Sequence, residues 1–305
     1  MKAIIHITDS IIGILVLTAI LLALAFAGYA LWDSEQIHSQ ADKSMYTAYK
    51  PTVENEGKTF NELRQINDEV IAWLNIFDTN IDYPVTQGTN NMKYVTTNAE
   101  GRYSLSGSIF LDYRNSSDFS DFNSIIYGHN MDKKTMFGEV GYFEDKKYFD
   151  SHGYGNLYFD ATDHGIEFFA FIHTDAYNSS IFWPNVPEDM RQVYLNGLLE
   201  EALHVRDIGV STEDNIVLLA TCSPSTTNGR DILVGRITDR ILMEDIDEII
   251  DLTSPVQTKI FARPIHLVPF LLKILLAIML VLKVRQANIR NAKVRQANIR
   301  NANVR

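Results

Sequence analysis

Ile11 to Leu31 is a run of 21 residues without a charge. At ~1.5 Å per residue, a helix of that length crosses a bilayer hydrocarbon core of ~30 Å. A segment this apolar ties whatever folds after it to a membrane. A cleaved signal peptide is the rival reading, and Ala23-Leu24-Ala25 and Ala25-Phe26-Ala27 offer the small residues it needs. The apolar core of such peptides spans only ~7–15 residues. An uncleaved anchor over residues 1–32 is therefore expected. Residues 33–58, polar with scattered apolar positions, read as a linker or juxtamembrane helix.

A second apolar stretch, Ile265 to Leu282, is interrupted by Lys273. It is read as a C-terminal transmembrane helix over residues 264–283, after a linker at 246–263. Beyond it, Lys or Arg stands at 283, 285, 290, 293, 295, 300 and 305, with no acid among them. The positive-inside rule puts such a flank in the cytoplasm. With two spans, the N-terminus and the basic tail share the cytoplasmic side, and the domain between them lies on the extracellular face. In the tail, residues 284–293 recur at 294–303 with only the last residue changed. A duplication without a task and attraction to anionic lipid headgroups are both open readings.

Apolar residues make up 46% of the chain, ample for one domain with appendages. Net charge is −11 despite the basic tail, so the rest is more acidic still. That disfavours nucleic-acid binding, which depends on basic patches that neutralise phosphate. It suits cationic peptide or amine partners. Solvation alone accounts for it equally well.

Phe60, Leu63, Ile66, Val70 and Trp73-Leu74 recur at three- and four-residue spacing, the pattern of an amphipathic helix. Short β-rich runs follow at 81–85, 107–112, 124–129, 156–160, 165–174, 215–222 and 231–239. Their regular spacing between turn residues predicts a barrel or sandwich. One helix interrupts them, from Glu188 to about Val205. Val193, Leu195, Leu198, Leu199 and Leu203 form its apolar face, and Pro184 and Pro187 precede it.

Cys222 is the only cysteine, at the end of the apolar run that starts at Ile216. Outside the cytoplasm it has no partner for a disulfide. A small buried hydrophobe is the plain alternative. A strand end, a polar loop from Ser223 to Gly229 and then Arg230 make a setting for chemistry instead. The thiolate is the nucleophile, and an ordinary thiol near ~8.5 is mostly protonated at neutral pH. A histidine, near ~6.5, can exchange that proton. His129 also ends an apolar strand, Ile125-Ile126-Tyr127-Gly128, so a compact barrel can bring both to one rim. His152, His164 and His173 are read as ordinary turn or strand residues.

Arg230, not Arg236, is the arginine expected beside the thiol, because six residues at ~3.3 Å put Arg236 roughly 20 Å further along the strand. Its rigid fork of donors stays charged and can hold an oxygen. The plain alternative is a strand-start arginine paired with Asp231 or Asp239. Asp112, Asp118 and Asp121 lack the spacing and turn glycine of a calcium loop and are read as loop acids. No metal or organic cofactor is expected.

Thr221-Cys222, with Leu219-Ala220 before it and Arg230 after it, resembles the Thr-Leu-x-Thr-Cys…Arg signature of sortases, the cysteine transpeptidases of Gram-positive cell surfaces. Ile125 to Met131, followed by Met136-Phe137, is similar to their histidine strand. Asn67 to Leu74, Ile81 to Val85 and Gly107 to Asp112 resemble the class B branch, which also carries a helix before its cysteine strand. The similarity runs in unbroken order from about residue 60 to 240. Class B sortases generally lack a C-terminal membrane helix, and the apolar stretch at 265–282 departs from that pattern.

The resemblance implies a mainly-β fold: a closed β-barrel with N-terminal helices and a helix inserted before the cysteine strand, here flanked by transmembrane helices. The catalytic domain would occupy residues 59–245. Cys222 would attack a peptide carbonyl in a C-terminal sorting motif and form a thioester. His129 would protonate the departing amine, Arg230 would stabilise the oxyanion, and an incoming amine would complete the transfer. Asn91, Tyr94 and Val95 resemble the Asp-Asn-x-x-Tyr-Leu segment of the class B groove, with Asn90 and Val95 in place of its Asp and Leu. Thr221 and Ser223, which flank the nucleophile, are further candidate substrate contacts.

The expected partners are sorting-signal peptides, membrane lipid, and an acceptor amine on either the peptidoglycan precursor or a pilin lysine. A C-terminal anchor is common in pilus-building sortases. Their Asp-Pro-aromatic lid has only a poor match here, Trp32-Asp33-Ser34, so the sequence favours the cell-wall acceptor. A reading from another class is a non-catalytic membrane-tethered β-domain for adhesion or assembly, with Cys222, His129 and Arg230 far apart. A papain-like protease is disfavoured because its cysteine precedes its histidine.

Overall fold

The computed structural model describes residues 2–52 and 57–240. The expectations for the linker at 246–263, the second span and the repeat tail lie outside the described residues.

Helix α1, Lys2–Ala41, is continuous over 40 residues. From Ser10 to Ala41 it is long and apolar enough to cross a membrane. Most large apolar side chains between Ile11 and Trp32 are exposed, as expected of a helix with no protein around it. The first part of the segment read as a linker or juxtamembrane helix, residues 33–41, therefore belongs to the helix. Asp42 then turns the chain by accepting from the Ser44 amide at 2.8 Å. Two short 3-10 turns, Lys43–Met45 and Thr47–Tyr49, follow and bury Tyr46 against the barrel.

Helix α2, Lys58–Ile66, buries Phe60 and Leu63. The helical pattern predicted through Trp73-Leu74 stops here, because Asn67 is extended and its side chain accepts from the Glu69 amide, an Asx turn that competes with the helix. Strand β1, Val70–Ile76, takes the remaining residues. Both faces of β1 are largely covered, so its sequence lacks the two-residue alternation that marks a half-buried strand.

The other strands are β2 (Asp82–Thr86), β3 (Ile109–Leu111), β4 (Asn123–Tyr127), β5 (Tyr154–Phe159), β6 (Thr162–Asp175), β7 (Ala202–Val205), β8 (Ile216–Cys222) and β9 (Gly229–Thr238). Their order is β5-β1-β2-β3-β4-β8-β9-β6, and pairing of β5 with β6 closes an eight-stranded barrel. Strand β7 pairs with Ala170–Ile172 of β6, on the edge opposite β9 and beyond the β5 pairing. The β2–β3 and β4–β8 pairs are parallel and the rest antiparallel. Mainly-β closure with N-terminal helices is as expected.

Alternate residues of β8 and β9 enter two cores. Val217, Leu219 and Leu233 join the barrel interior, with Trp73, Phe137 and Phe168. Ile216, Leu218, Ala220, Ile232 and Val234 pack outward under the long β6–β7 connection. Strands covered on both sides read as continuous apolar runs, as these do. Helix α3 (Lys146–Ser151) lies before β5, and the β6–β7 connection carries helix α4 (Arg191–Glu201). Helix α4 buries Tyr194, Leu195 and Leu198. It is shorter than predicted. Ala202–Val205 pairs with Ala170–Ile172 of β6 as β7, which leaves Leu203 on a strand and Val193 exposed on the helix.

Candidate active site

Strand register brings the three candidate side chains together. In the parallel β4–β8 pair, Tyr127 stands opposite Ala220. Two residues further along each chain are His129 and Cys222. In the antiparallel β8–β9 pair, Arg230 stands opposite Cys222. All three line one groove of about 370 Å³, with Asn91, Val95 and Thr221. The far-apart arrangement that would mark a non-catalytic domain is not what the barrel builds.

Cys222 is the first exposed residue of β8 after six buried ones. Its backbone is tied in place: Asn130 Nδ2 donates to the Cys222 carbonyl at 2.9 Å, and Thr221 Oγ1 donates to the Gly128 carbonyl at 2.8 Å. The Thr221 donor is thus already engaged between strands. Gly128 permits close approach of the histidine loop, since a Cβ there would meet the Phe137 ring at 2.7 Å. The Phe137 amide donates to the His129 carbonyl at 2.9 Å.

The His129 ring has Nε2 at 2.9 Å from the Val95 carbonyl. A carbonyl only accepts, so Nε2 carries the hydrogen, and Nδ1 is left to exchange a proton. Val95 thereby holds the imidazole as well as lining the groove, a role its side chain does not reveal.

Arg230 Nη1 donates to the Gly229 carbonyl at 2.9 Å, folding the guanidinium back over the loop. Neither carboxylate of the plain alternative pairs with it. Asp231 is buried and bound to His173 Nδ1 at 2.6 Å, and Asp239 lies 3.6 Å from His164. Arg236 sits opposite Ile216 at the far end of β9, where its Nε donates to Glu167 at 3.0 Å. Ser223 is not among the groove residues. Its amide donates to the Gly229 carbonyl at 2.9 Å, and it lines a separate depression with His173 and Arg230.

Asp112 is more than a loop acid. Fully buried, it accepts from Arg114 Nε at 2.9 Å and Nη2 at 2.8 Å, from Asn91 Nδ2 at 2.9 Å and from the Tyr127 hydroxyl at 3.1 Å. Burial pushes its carboxyl up, but the Arg114 and Asn91 bonds outweigh this and hold it below the usual range. Burial, with the Asp112 charge adding to it, raises the Tyr127 phenol well above its ordinary value and keeps it a donor. Asn91, Arg114 and Tyr127 all line the groove, so one buried carboxylate fixes its wall. The signal for this was Arg114 two residues after an acid at a strand end, too common a pattern to single out. Among the described residues, no group of three His, Cys, Asp or Glu side chains is placed to hold a metal ion.

This barrel, with a cysteine ending one strand and an arginine opposite it, is the architecture of known sortases. The chain is 31% identical to sortase B of Listeria monocytogenes over 219 residues, covering 69% of this chain and 88% of that protein. It is similar in structure to sortase B from the type II pilus of Streptococcus pneumoniae, with 43% identity and a TM-score of 0.53 over 59% of this chain and 99% of that one. A class B sortase of Streptococcus pyogenes involved in pilus biogenesis gives 41% identity and a TM-score of 0.55 over 60% and 99%. No protein-family profile matches. The fold and these likenesses define a sortase-type cysteine transpeptidase. Within that class, the chain belongs to the sortase B family.

Proposed function

We propose that this sortase is anchored by α1 with its catalytic domain on the extracellular face, and that it joins surface-protein sorting signals to the lysine of a pilin subunit. Cys222 passes its proton to His129, and the thiolate attacks the carbonyl of the scissile peptide bond. Arg230 stabilises the oxyanion, the C–N bond breaks, and His129 returns the proton to the departing amine. The acceptor amine then attacks the thioester and loses a proton to His129. The thiolate leaves and is reprotonated.

Convergence of Cys222, His129 and Arg230 in one groove carries the transpeptidase chemistry. The choice of acceptor rests on the 43% and 41% identities to two pilus-associated class B sortases, against 31% to the Listeria protein. A second reading, transfer to an amine of the peptidoglycan precursor, is favoured by Trp32-Asp33-Ser34, a poor match to the lid motif of pilus enzymes. Mass spectrometry of surface polymers from cells with and without the chain separates the two. A lysine-linked pilin ladder that is lost with Cys222→Ala supports the pilin acceptor. Surface proteins released with peptidoglycan fragments at their C-termini would assign the wall instead.

A further inference from the structure

The loop that follows His129 is held from outside itself. Between Asn130 and Phe137, three non-glycine residues adopt left-handed backbone: Lys133 at φ 58°, Lys134 at φ 60° and Met136 at φ 50°. Such conformations cost about 1–3 kcal/mol each and persist only when surrounding structure imposes them. Met136 bridges back to Asn130, and Phe137 bonds the His129 carbonyl, so the shape of this loop sets where the histidine backbone lies.

The outside hold comes from the end of the anchor helix. The Met136 amide donates to the Tyr83 hydroxyl at 3.1 Å, and that hydroxyl donates to the Ala41 carbonyl at 2.9 Å. Ala41 is the last residue of α1, and both Ala41 and Tyr83 are buried. A helix ends with carbonyls that lack intrahelical partners, and Tyr83 satisfies one of them. Burial holds the phenol well above its ordinary value, so it keeps its proton and donates. A second link runs nearby, from Lys133 Nζ to Glu35 of α1 at 2.7 Å, although both side chains are largely exposed.

We propose that Tyr83 is a positioning residue for His129, and that docking of the anchor helix, through the Tyr83 hydroxyl, sets the geometry of the histidine loop. The inference rests on the proposed role of His129 beside Cys222. The catalytic domain and its anchor are then one working unit.

The test uses the full chain in detergent micelles and needs no sorting motif, because Cys222 is the only thiol. Iodoacetamide alkylation of Cys222 at neutral pH is timed with and without His129→Ala, and the ratio measures how far His129 governs the thiol. In a Tyr83→Phe background that ratio should fall at least threefold towards one. Ala41→Leu, which pries the helix end from the barrel, should do the same, and the two changes together should add little. Thermal melts check that each variant is folded. A purely structural Tyr83 would lower the melting temperature and leave the ratio untouched, which would overturn the proposal. If His129→Ala changes alkylation in neither background, the role given to His129 fails first and this inference falls with it.

Discussion

Cys222 and Arg230 face each other across the β8–β9 pair, eight residues apart in the chain and joined by a loop whose ends are bonded through the Ser223 amide and the Gly229 carbonyl. Directly opposed residues in an antiparallel pair lie on the same face with Cβ atoms ~4.5–5.5 Å apart. The thiol and the guanidinium therefore reach one groove without any help from distant segments. Arg230→Lys should lose most transpeptidation, because a point charge replaces a fork of donors. Arg236→Lys should keep it, since Arg236 serves the Glu167 pair at the far end of the strand. Steady-state rates with a sorting peptide and an amine acceptor compare the two, and the reverse pattern would show that the wrong arginine was assigned.

His129→Ala should reduce turnover by ~10²–10⁴, the usual contribution of a positioned acid–base group. His173→Ala is the control. Its ring is engaged by Asp231 and is not a groove residue, so turnover should stay within a few-fold of the parent. Similar losses in both variants would remove His129 from its role.

Asp112 makes the stability of the groove wall depend on pH. Its folded pKa lies below the ordinary aspartate value of ~3.9. Its contribution is then complete above about pH 4 and is lost as pH falls through the lowered folded value. Asp112→Asn should cost about 1–3 kcal/mol at neutral pH by leaving buried donors mismatched. The half-exposed Arg114 keeps the loss below the ~3–5 kcal/mol of a fully buried broken pair. Melting curves should fall more steeply below pH 4 for the parent than for the variant, and parallel curves would contradict the assignment.

Gly128→Ala should damage the site as well as the fold. The new methyl would sit 2.7 Å from the Phe137 ring, so either that buried ring or the backbone leading to His129 has to move. Overpacking of this kind typically costs ~1–3 kcal/mol. A variant with parent-like melting temperature and parent-like turnover would show that the approach of the two segments is looser than described.

Much of the barrel was legible because β4, β8 and β9 are covered on both faces and read as continuous apolar runs between polar loops. Cys222, the only cysteine, and His129 stood out as candidates because each closes such a run in the sequence and each falls in a stretch that resembles the sortase signature. Strand β1 was misread as helix because Val70, Trp73 and Leu74 satisfy a helical spacing as easily as a doubly buried strand, and the Asx turn at Asn67 is a local competitor that periodicity does not weigh. The partners of Asp112 come from three separate segments, and the hold of Val95 on His129 uses a backbone carbonyl. Neither leaves a mark in residue type. Ser223 was a candidate substrate contact because it flanks the nucleophile; the turn places it in a depression that shares Arg230 with the groove, a placement that residue type does not reveal.

Closure of the barrel gives β1 to β6, β8 and β9 at least two neighbouring strands each, and leaves β7 as the one described strand with a single neighbour. A free edge is where sheets of separate molecules add to one another. That hazard is confined to the four residues Ala202–Val205, where Leu203 and Val205 are exposed beside His204. A strand this short offers few hydrogen bonds to an intruding chain. Self-association through the sheet is thereby limited by topology, and a charge at Leu203 or Val205 is the place to suppress what remains.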